Sequence, residues 1–375
     1  MKMNEHLESV EKVLEQTQNR YLDNNQASEF LRKHNGFIPI LVQPKGGGKL
    51  VWLDVNNYQF TEAKFIDSLK NLASAKNSIQ VLITDLDLLE SDIFSSDVLY
   101  PTGFIFFAHR CGSTLLAKSL ARSSRNIVIS EATALYEGLW FYLSQGWKCS
   151  IPPTARNFKI VKNLVLALGR QRRVEQKTYF IKFHPWQSVF IELITATFPN
   201  VPCLFLYRDV AEILVSALRT SSPTLSNIRG TRFAAFLTGL SIDETGGISR
   251  TEYFARLYRE FMLAVLNSST KKLAYLNYNQ LTASNLSHIL NECFNYRVPV
   301  AELETMQNQF SYYSKDNNNT TLFLSDKAEK QKAVTSEIRN AIKRNNLTRL
   351  YERLEQSERN LFRVTGDAPL PSPLT

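Results

Sequence analysis

The run Gly103-Phe104-Ile105-Phe106-Phe107-Ala108, then His109-Arg110-Cys111-Gly112-Ser113-Thr114, then Leu115-Leu116-Ala117-Lys118-Ser119-Leu120 decides the fold. Its first part is apolar without alternation, as expected of a strand buried on both faces of a parallel sheet. Its last part spaces Leu115, Leu116, Ser119 and Leu120 as a helix does. A loop that ends a buried strand and opens a helix aims several free backbone N–H groups and the positive end of the helix dipole at one point, which suits a phosphate. Gly112 permits close backbone approach, Ser113 and Thr114 add hydroxyls, and Arg110 adds a planar cationic fork. The lysine of the nucleoside-triphosphatase loop is missing, and the first glycine position is not glycine. Without a ligand the same stretch would be an ordinary strand-to-helix turn.

Downstream, strands and helices alternate. Strands are expected at Asn126–Ser130, Thr178–His184, Val201–Tyr207 and Lys272–Tyr278. A basic helix fills 159–173, its Arg170–Arg173 end read as solvated, and a second helix follows Asp209. From Ser325 the chain reads as mainly helical, and the proline-rich residues 366–375 as a frayed tail. The fold class is therefore α/β, a P-loop-type central parallel sheet flanked by helices over 99–365. Residues 1–98 form an N-terminal α+β extension, with helical spacing at Leu7, Val10 and Leu14, a polar helix from Ala27 to Lys33, and a hairpin of FIPILVQ and KLVWLDV around PKGGGK. No helix pattern follows Gly46, Gly47 and Gly48, so these glycines mark a hairpin tip and not a phosphate loop. A strand follows from Val81.

The chain has 375 residues, 44% hydrophobic and 21% charged, with a net charge of +9. That composition excludes a mainly disordered or collagenous chain. No run of about 18 apolar residues occurs, and the first residues, MKMNEHLESVEKVLEQ, lack the apolar core of a signal peptide. A cytoplasmic protein with no membrane partner is expected. Cys111, Cys149, Cys203 and Cys293 show no metal-ligand spacing and read as free thiols; no metal is expected. The positive balance favours anionic ligands. Nucleic acid is not expected, because the basic runs lack interleaved aromatics.

Three further features carry chemistry. Arg208, at the end of an apolar strand, is aimed at the crevice beyond the carboxyl ends of the strands, with Ser216 eight residues later on the following helix. The plainer alternative is a helix capped by Asp209 with a solvated Arg208. Lys182 and His184 share one face of a strand end by alternation and offer a cation and a proton acceptor. Glu131 follows another strand, 21 residues after Arg110; its plainer reading is a charge near a helix amino terminus.

Together these motifs resemble the sulfotransferase family, whose members transfer a sulfuryl group from 3′-phosphoadenosine 5′-phosphosulfate (PAPS), and in particular its bacterial members. The resemblance covers about residues 100–330. Arg110-Cys111-Gly112-Ser113-Thr114 matches the family's R-S-G-T-T loop for the 5′-phosphosulfate, with Leu115 following. Arg208-Asp209, with Ser216 at the matching distance, resembles the segment that holds the 3′-phosphate. Lys182-Phe183-His184 resembles the K-T-H segment of cytosolic members, which makes His184 the base and Lys182 a contact to the sulfonate. Glu131 is its rival, because tyrosylprotein sulfotransferases use a Glu at a similar distance. Cys111 stands for serine and Val210 for proline, and the carboxyl-terminal R-K-G loop is absent, leaving Lys315 or Lys327 as candidate third contacts.

The resemblance implies PAPS as co-substrate, no metal, and a hydroxyl or amine acceptor on a small molecule, carbohydrate or peptide. The acceptor pocket is expected from loops in 221–250. Two other functions remain open, a P-loop phosphotransferase and a non-catalytic nucleotide-binding protein.

Overall fold

The structure is a computed structural model that describes residues 10, 14, 17–44, 46–75, 79–94, 98–219, 223–324 and 326–363, without the side chains of residues 17, 18, 79, 137, 223 and 224. Leu7 and the 366–375 tail lie outside the described residues. The chain begins with β1 (Thr17–Tyr21), α1 (Asn24–Lys33), β2 (Phe37–Gln43), β3 (Lys49–Asp54), α2 (Phe65–Ala75) and β4 (Ile79–Asp85). These strands form one sheet in the order β1-β4-β3-β2. The hairpin partners β2 and β3 pair antiparallel, whereas β1 lies parallel to β4. Polar β1, TQNRY, is an edge strand paired only with β4, Arg20 lying over the Phe30 ring of α1, and its sequence carries no run of apolar residues.

The second sheet follows, with β5 (Gly103–Phe107), α3 (Ser113–Leu120), β6 (Asn126–Ser130), α4 (Glu137–Leu143), α5 (Ala155–Leu168), β7 (Thr178–Lys182), α6 (Ile191–Thr197), β8 (Cys203–Tyr207) and α7 (Val210–Arg219). After α8 (Pro223–Asn227), α9 (Arg232–Thr238), α10 (Ile242–Gly247) and the long α11 (Arg250–Leu266), β9 (Leu273–Asn277) completes it. Five helices close the described chain, α12 (Leu286–Phe294), α13 (Val300–Asn308), α14 (Lys327–Lys332), α15 (Ser336–Arg344) and α16 (Leu347–Gln356). The five strands are all parallel in the order β6-β7-β5-β8-β9. This is the α/β class, with helices on the sheet, that the apolar strand runs predict.

The order of the strands positions the site. The chain leaves central β5 for the edge at β6, returns through β7 and crosses β5 to β8, so the carboxyl end of β5 is the switch point where open α/β sheets hold ligands. Every residue of β5, β6 and β8 is buried. One hydrophobic core runs through both sheets, with Val42, Trp52 and Val81 in the same cluster as Phe104, Ile129 and Ile181. Close approach makes the join. A Cβ on Gly138 of α4 would sit 2.0 Å from the Val42 carbonyl oxygen of β2, so only glycine fits there.

Two expectations are corrected. Residues 221–250 are not a loop, because α8, α9 and α10 occupy most of the segment, α9 capped by Thr231 and α10 by a Ser241–Glu244 capping box. The Arg170–Arg173 run is not a solvated helix end either. The helix stops at Leu168, and Arg170, wholly buried, donates to the Phe37 carbonyl of β2 and the Leu31 carbonyl of α1. Guanidinium donors satisfy backbone acceptors that the join would otherwise bury unpaired.

Candidate functional site

The loop after β5 is folded against local preference. His109 has φ 95°, Arg110 φ 54° and Gly112 φ 84°. A left-handed conformation costs a non-glycine residue on the order of 1–3 kcal/mol and persists only when the surroundings over-determine it. Here they do. Ala108 N–H donates to the Leu206 carbonyl at 2.9 Å, and the buried Cys111 thiol donates to the same carbonyl at 3.2 Å. A Cβ on Gly112 would meet the Leu281 and Tyr278 side chains at 2.8 Å. The first helical bond of α3 runs from Leu116 N–H to the Gly112 carbonyl. The N–H groups of the preceding residues are left at the positive end of the helix.

Cys111 and Leu115 face away from this cradle. Both pack against the second hydrophobic cluster, and burial pushes the Cys111 thiol up to about 12. Their side chains serve packing; only their backbone can face an anion. Ser113 is buried and Thr114 half-buried, and Thr114 Oγ1 lies 3.5 Å from Lys182 Nζ.

Lys182 and Glu131 come together, with His184 near enough for its charge to act on Glu131. β7 ends at Lys182, so His184 lies past the strand, at the start of a short 3-10 turn, and strand alternation does not place it. Lys182 is fully buried and donates to Glu131 Oε1 at 2.6 Å and to Ser130 Oγ at 3.0 Å. Its ammonium also sits 5.2 Å from the centre of the Phe107 ring. Burial works to raise the pKa of Glu131, but the charges of Lys182, then His184 and Lys64, outweigh it and hold the carboxyl well below the usual carboxylate range. Glu131 itself has φ 61°. The backbone N–H of His184 donates to Gln187 Oε1 at 2.6 Å, and Gln187 in turn donates to the Leu135 carbonyl. Tyr136 meets the His184 ring edge-on at 5.1 Å between centroids.

Arg208 and Ser216 lie beside the loop across the sheet. Asp209 caps α7 by accepting the Glu212 N–H at 3.0 Å. Arg208 is nonetheless not solvated. It is buried, ion-paired with Glu212, 3.6 Å from Asp326 Oδ1, and stacked 4.3 Å from the Tyr278 ring centre. Arg110 Nε donates to Ser216 Oγ at 2.8 Å.

Three further residues belong to the cluster and are absent from the sequence reading. Lys330 of α14 is buried and pairs with Asp326 Oδ2 at 2.8 Å. Burial lowers its pKa, the Asp326 contact opposes this, and the charges of Arg208 and Arg110 press it lower still. Lys315 and Lys327, the expected third cations, are exposed. Lys330 stands nearer, on the buried side of a helix whose sequence, KAEKQK, reads as uniformly solvated. His109 places Nδ1 3.3 Å from the Tyr258 hydroxyl. Burial, then the Arg110 charge, pushes its imidazole down to about 3, so it stays neutral. Lys64 lies within electrostatic reach of both Glu131 and His109.

What the arrangement offers is an anion cradle with cations around it and a proton acceptor at its edge. Among the described residues no group of three or more His, Cys, Asp or Glu side chains is placed to hold a metal ion. No helix of the described residues is long and apolar enough to cross a membrane.

No protein-family model matches the chain, and no curated protein matches it in sequence. Among solved structures, a sulfotransferase domain from the curacin biosynthetic pathway is similar over 66% of this chain and 98% of that domain, with 14% sequence identity and a TM-score of 0.37.

Proposed function

We propose that this protein transfers a sulfuryl group from PAPS to a hydroxyl or amine acceptor. The observation that carries the reading is the convergence of two anion-binding elements at one switch point. The loop of residues 110–114 and the pair Arg208 and Ser216 are linked directly by the Arg110–Ser216 hydrogen bond. A ligand with phosphates at both ends of one ribose would meet both. Arg110, Lys182, Arg208 and Lys330 all lie in the cluster, the last in place of the absent R-K-G loop. Glu131, Glu212 and Asp326 pair with the last three, and Arg110 is left as the cation of these four without a carboxylate partner among the described residues.

In this reading the acceptor oxygen or nitrogen forms a bond to sulfur while the bridging bond from sulfur to the phosphate oxygen breaks. His184 takes the acceptor proton, and the leaving phosphate keeps the electron pair. Arg110 and the amino end of α3 hold the charge that develops there, which is where fixed donors act most strongly. Lys182 holds the sulfonate. Glu131 is the weaker candidate base, because a carboxylate paired with a buried ammonium and held far below its usual range attracts protons poorly. Its place is to hold the Lys182 ammonium, as a positioning residue.

A phosphotransferase is the second reading, and the absence of a loop lysine speaks against it. Incubation with PAPS and a mixed acceptor extract, followed by chromatography for adenosine 3′,5′-bisphosphate, tests the proposal. Release of the bisphosphate supports it; magnesium-dependent consumption of ATP without it supports the rival.

A further inference from the structure

The first sheet is pinned against the reaction centre. Ser130 Oγ donates to the Ala63 carbonyl at 3.0 Å, and Ala63 N–H donates to Asn317 Oδ1 at 2.9 Å. Gln59 Nε2 donates to the Ala121 carbonyl at 2.9 Å, and the Thr133 hydroxyl to the Ile40 carbonyl. Ser130 is the neighbour of Glu131, so its bond to Ala63 brings the next residue, Lys64, to the Glu131 side of the crevice. The electrostatic influence of Lys64 on both Glu131 and His109 agrees with that placement.

Lys64 differs from the other cations there. Lys182 is committed to Glu131 and Ser130, Arg110 to Ser216, Arg208 to Glu212, and Lys330 to Asp326. The Lys64 carbonyl accepts the Asp67 and Ser68 N–H groups at the start of α2, while its exposed ammonium makes no hydrogen bond or ion pair with any described residue. Its backbone is fixed and its charge uncommitted. The donor nucleotide has cations of its own, on the loop after β5, at the end of β8 and on α14.

We infer that Lys64 binds an anionic substituent of the acceptor, so that the acceptor is a hydroxyl or amine compound carrying a carboxylate, phosphate or sulfate. The connection that enters α2, beside the first sheet, thus supplies a specificity-determining residue to the site on the second. The word acceptor rests on the sulfuryl-transfer reading; the uncommitted cation does not.

Two probes that differ only in charge, 4-hydroxybenzoate and its methyl ester, test the inference by calorimetry on the full chain saturated with adenosine 3′,5′-bisphosphate. Both are phenols, so each carries the hydroxyl that the sulfuryl-transfer reading requires of an acceptor. The acid should bind about threefold to fivefold more tightly than the ester, as an exposed ion pair allows; Lys64→Ala should bring the two within about twofold, and Lys64→Arg should keep the preference. Equal affinities in the unsubstituted protein, no measurable binding of the acid, or a preference that survives Lys64→Ala would each overturn the inference. Failure of the bisphosphate to bind would count against sulfuryl transfer alone, and the acid and ester comparison without nucleotide would still decide the role of Lys64.

Discussion

Arg110 and Ser216 lie 106 residues apart in sequence and share a 2.8 Å hydrogen bond, from the guanidinium Nε to the serine hydroxyl. The bond ties the loop after β5 to the helix after β8. A ligand phosphate can contact both partners without breaking it, because the Ser216 hydroxyl, accepting from Nε, keeps its own O–H to donate and the guanidinium keeps four further N–H donors. Arg110→Ala removes the loop cation and should lower turnover at least about tenfold, as loss of a charge-assisted contact does. Steady-state kinetics with PAPS would show it, and unchanged turnover would deny Arg110 a place at the leaving group.

Cys111 is placed for packing, not reaction. Its thiol is wholly buried, bonded to the Leu206 carbonyl, and shifted up to about 12 by burial. A thiol with that pKa is almost entirely protonated at neutral pH and a poor nucleophile. Titration of the native protein with a disulfide reagent should modify Cys149, the exposed cysteine, and leave Cys111 untouched until the chain unfolds. Cys111→Ser should keep turnover. Loss of activity in step with rapid Cys111 modification would contradict this placement.

Glu131 and Lys182 form a buried pair, and removing one partner strands the other. Glu131→Gln should lower stability near neutral pH by about 3–5 kcal/mol, the cost typical of an uncompensated buried charge. The sign of its pH dependence follows from the lowered pKa. The folded value lies below the ordinary 4.5, so the contribution is fully present above that pH and is lost as the pH falls below it. Denaturant melts of both proteins should therefore converge in acid. A stability difference that widened in acid would be the wrong sign for this pair.

His184 carries the proton in this account. His184→Ala should cut turnover roughly a hundredfold or more while affinity for adenosine 3′,5′-bisphosphate stays nearly constant, the pattern of a group used only in the transition state. Full turnover in that variant would remove His184 from the reaction and turn attention to His109, the other imidazole of the cluster.

The sequence made the parallel sheet readable because strands buried on both faces are continuous apolar runs: GFIFF, NIVIS and CLFLY are each buried at every residue. Polar β1 escaped, since its pairing depends on backbone groups and not on side chains. The helices of 223–247 escaped because they are short and rich in Ser, Thr and Gly, although Ser241 and Glu244 spell a capping box that marks one of them. At the site, Arg110, Arg208, Lys182 and His184 were legible because each stands at or just after a strand end, and Ser216 by its spacing from Arg208 along the following helix. Lys64 and Lys330 were not, because they come from separate elements, and no local pattern distinguishes such a lysine from a solvated one. Burial of Arg170 was hidden for the same reason, its partners being carbonyls over 130 residues away.

The central claim is that Arg208 and Ser216 address a phosphate on the 3′ position of a nucleotide. Calorimetric titration with adenosine 3′,5′-bisphosphate and with AMP tests it most directly, because the two ligands differ only in that phosphate. The bisphosphate should bind far more tightly, and Arg208→Ala should erase about 1.5–3 kcal/mol of the difference, the worth of a charge-assisted hydrogen bond. Equal affinity for the two nucleotides in the unsubstituted protein would contradict the assignment.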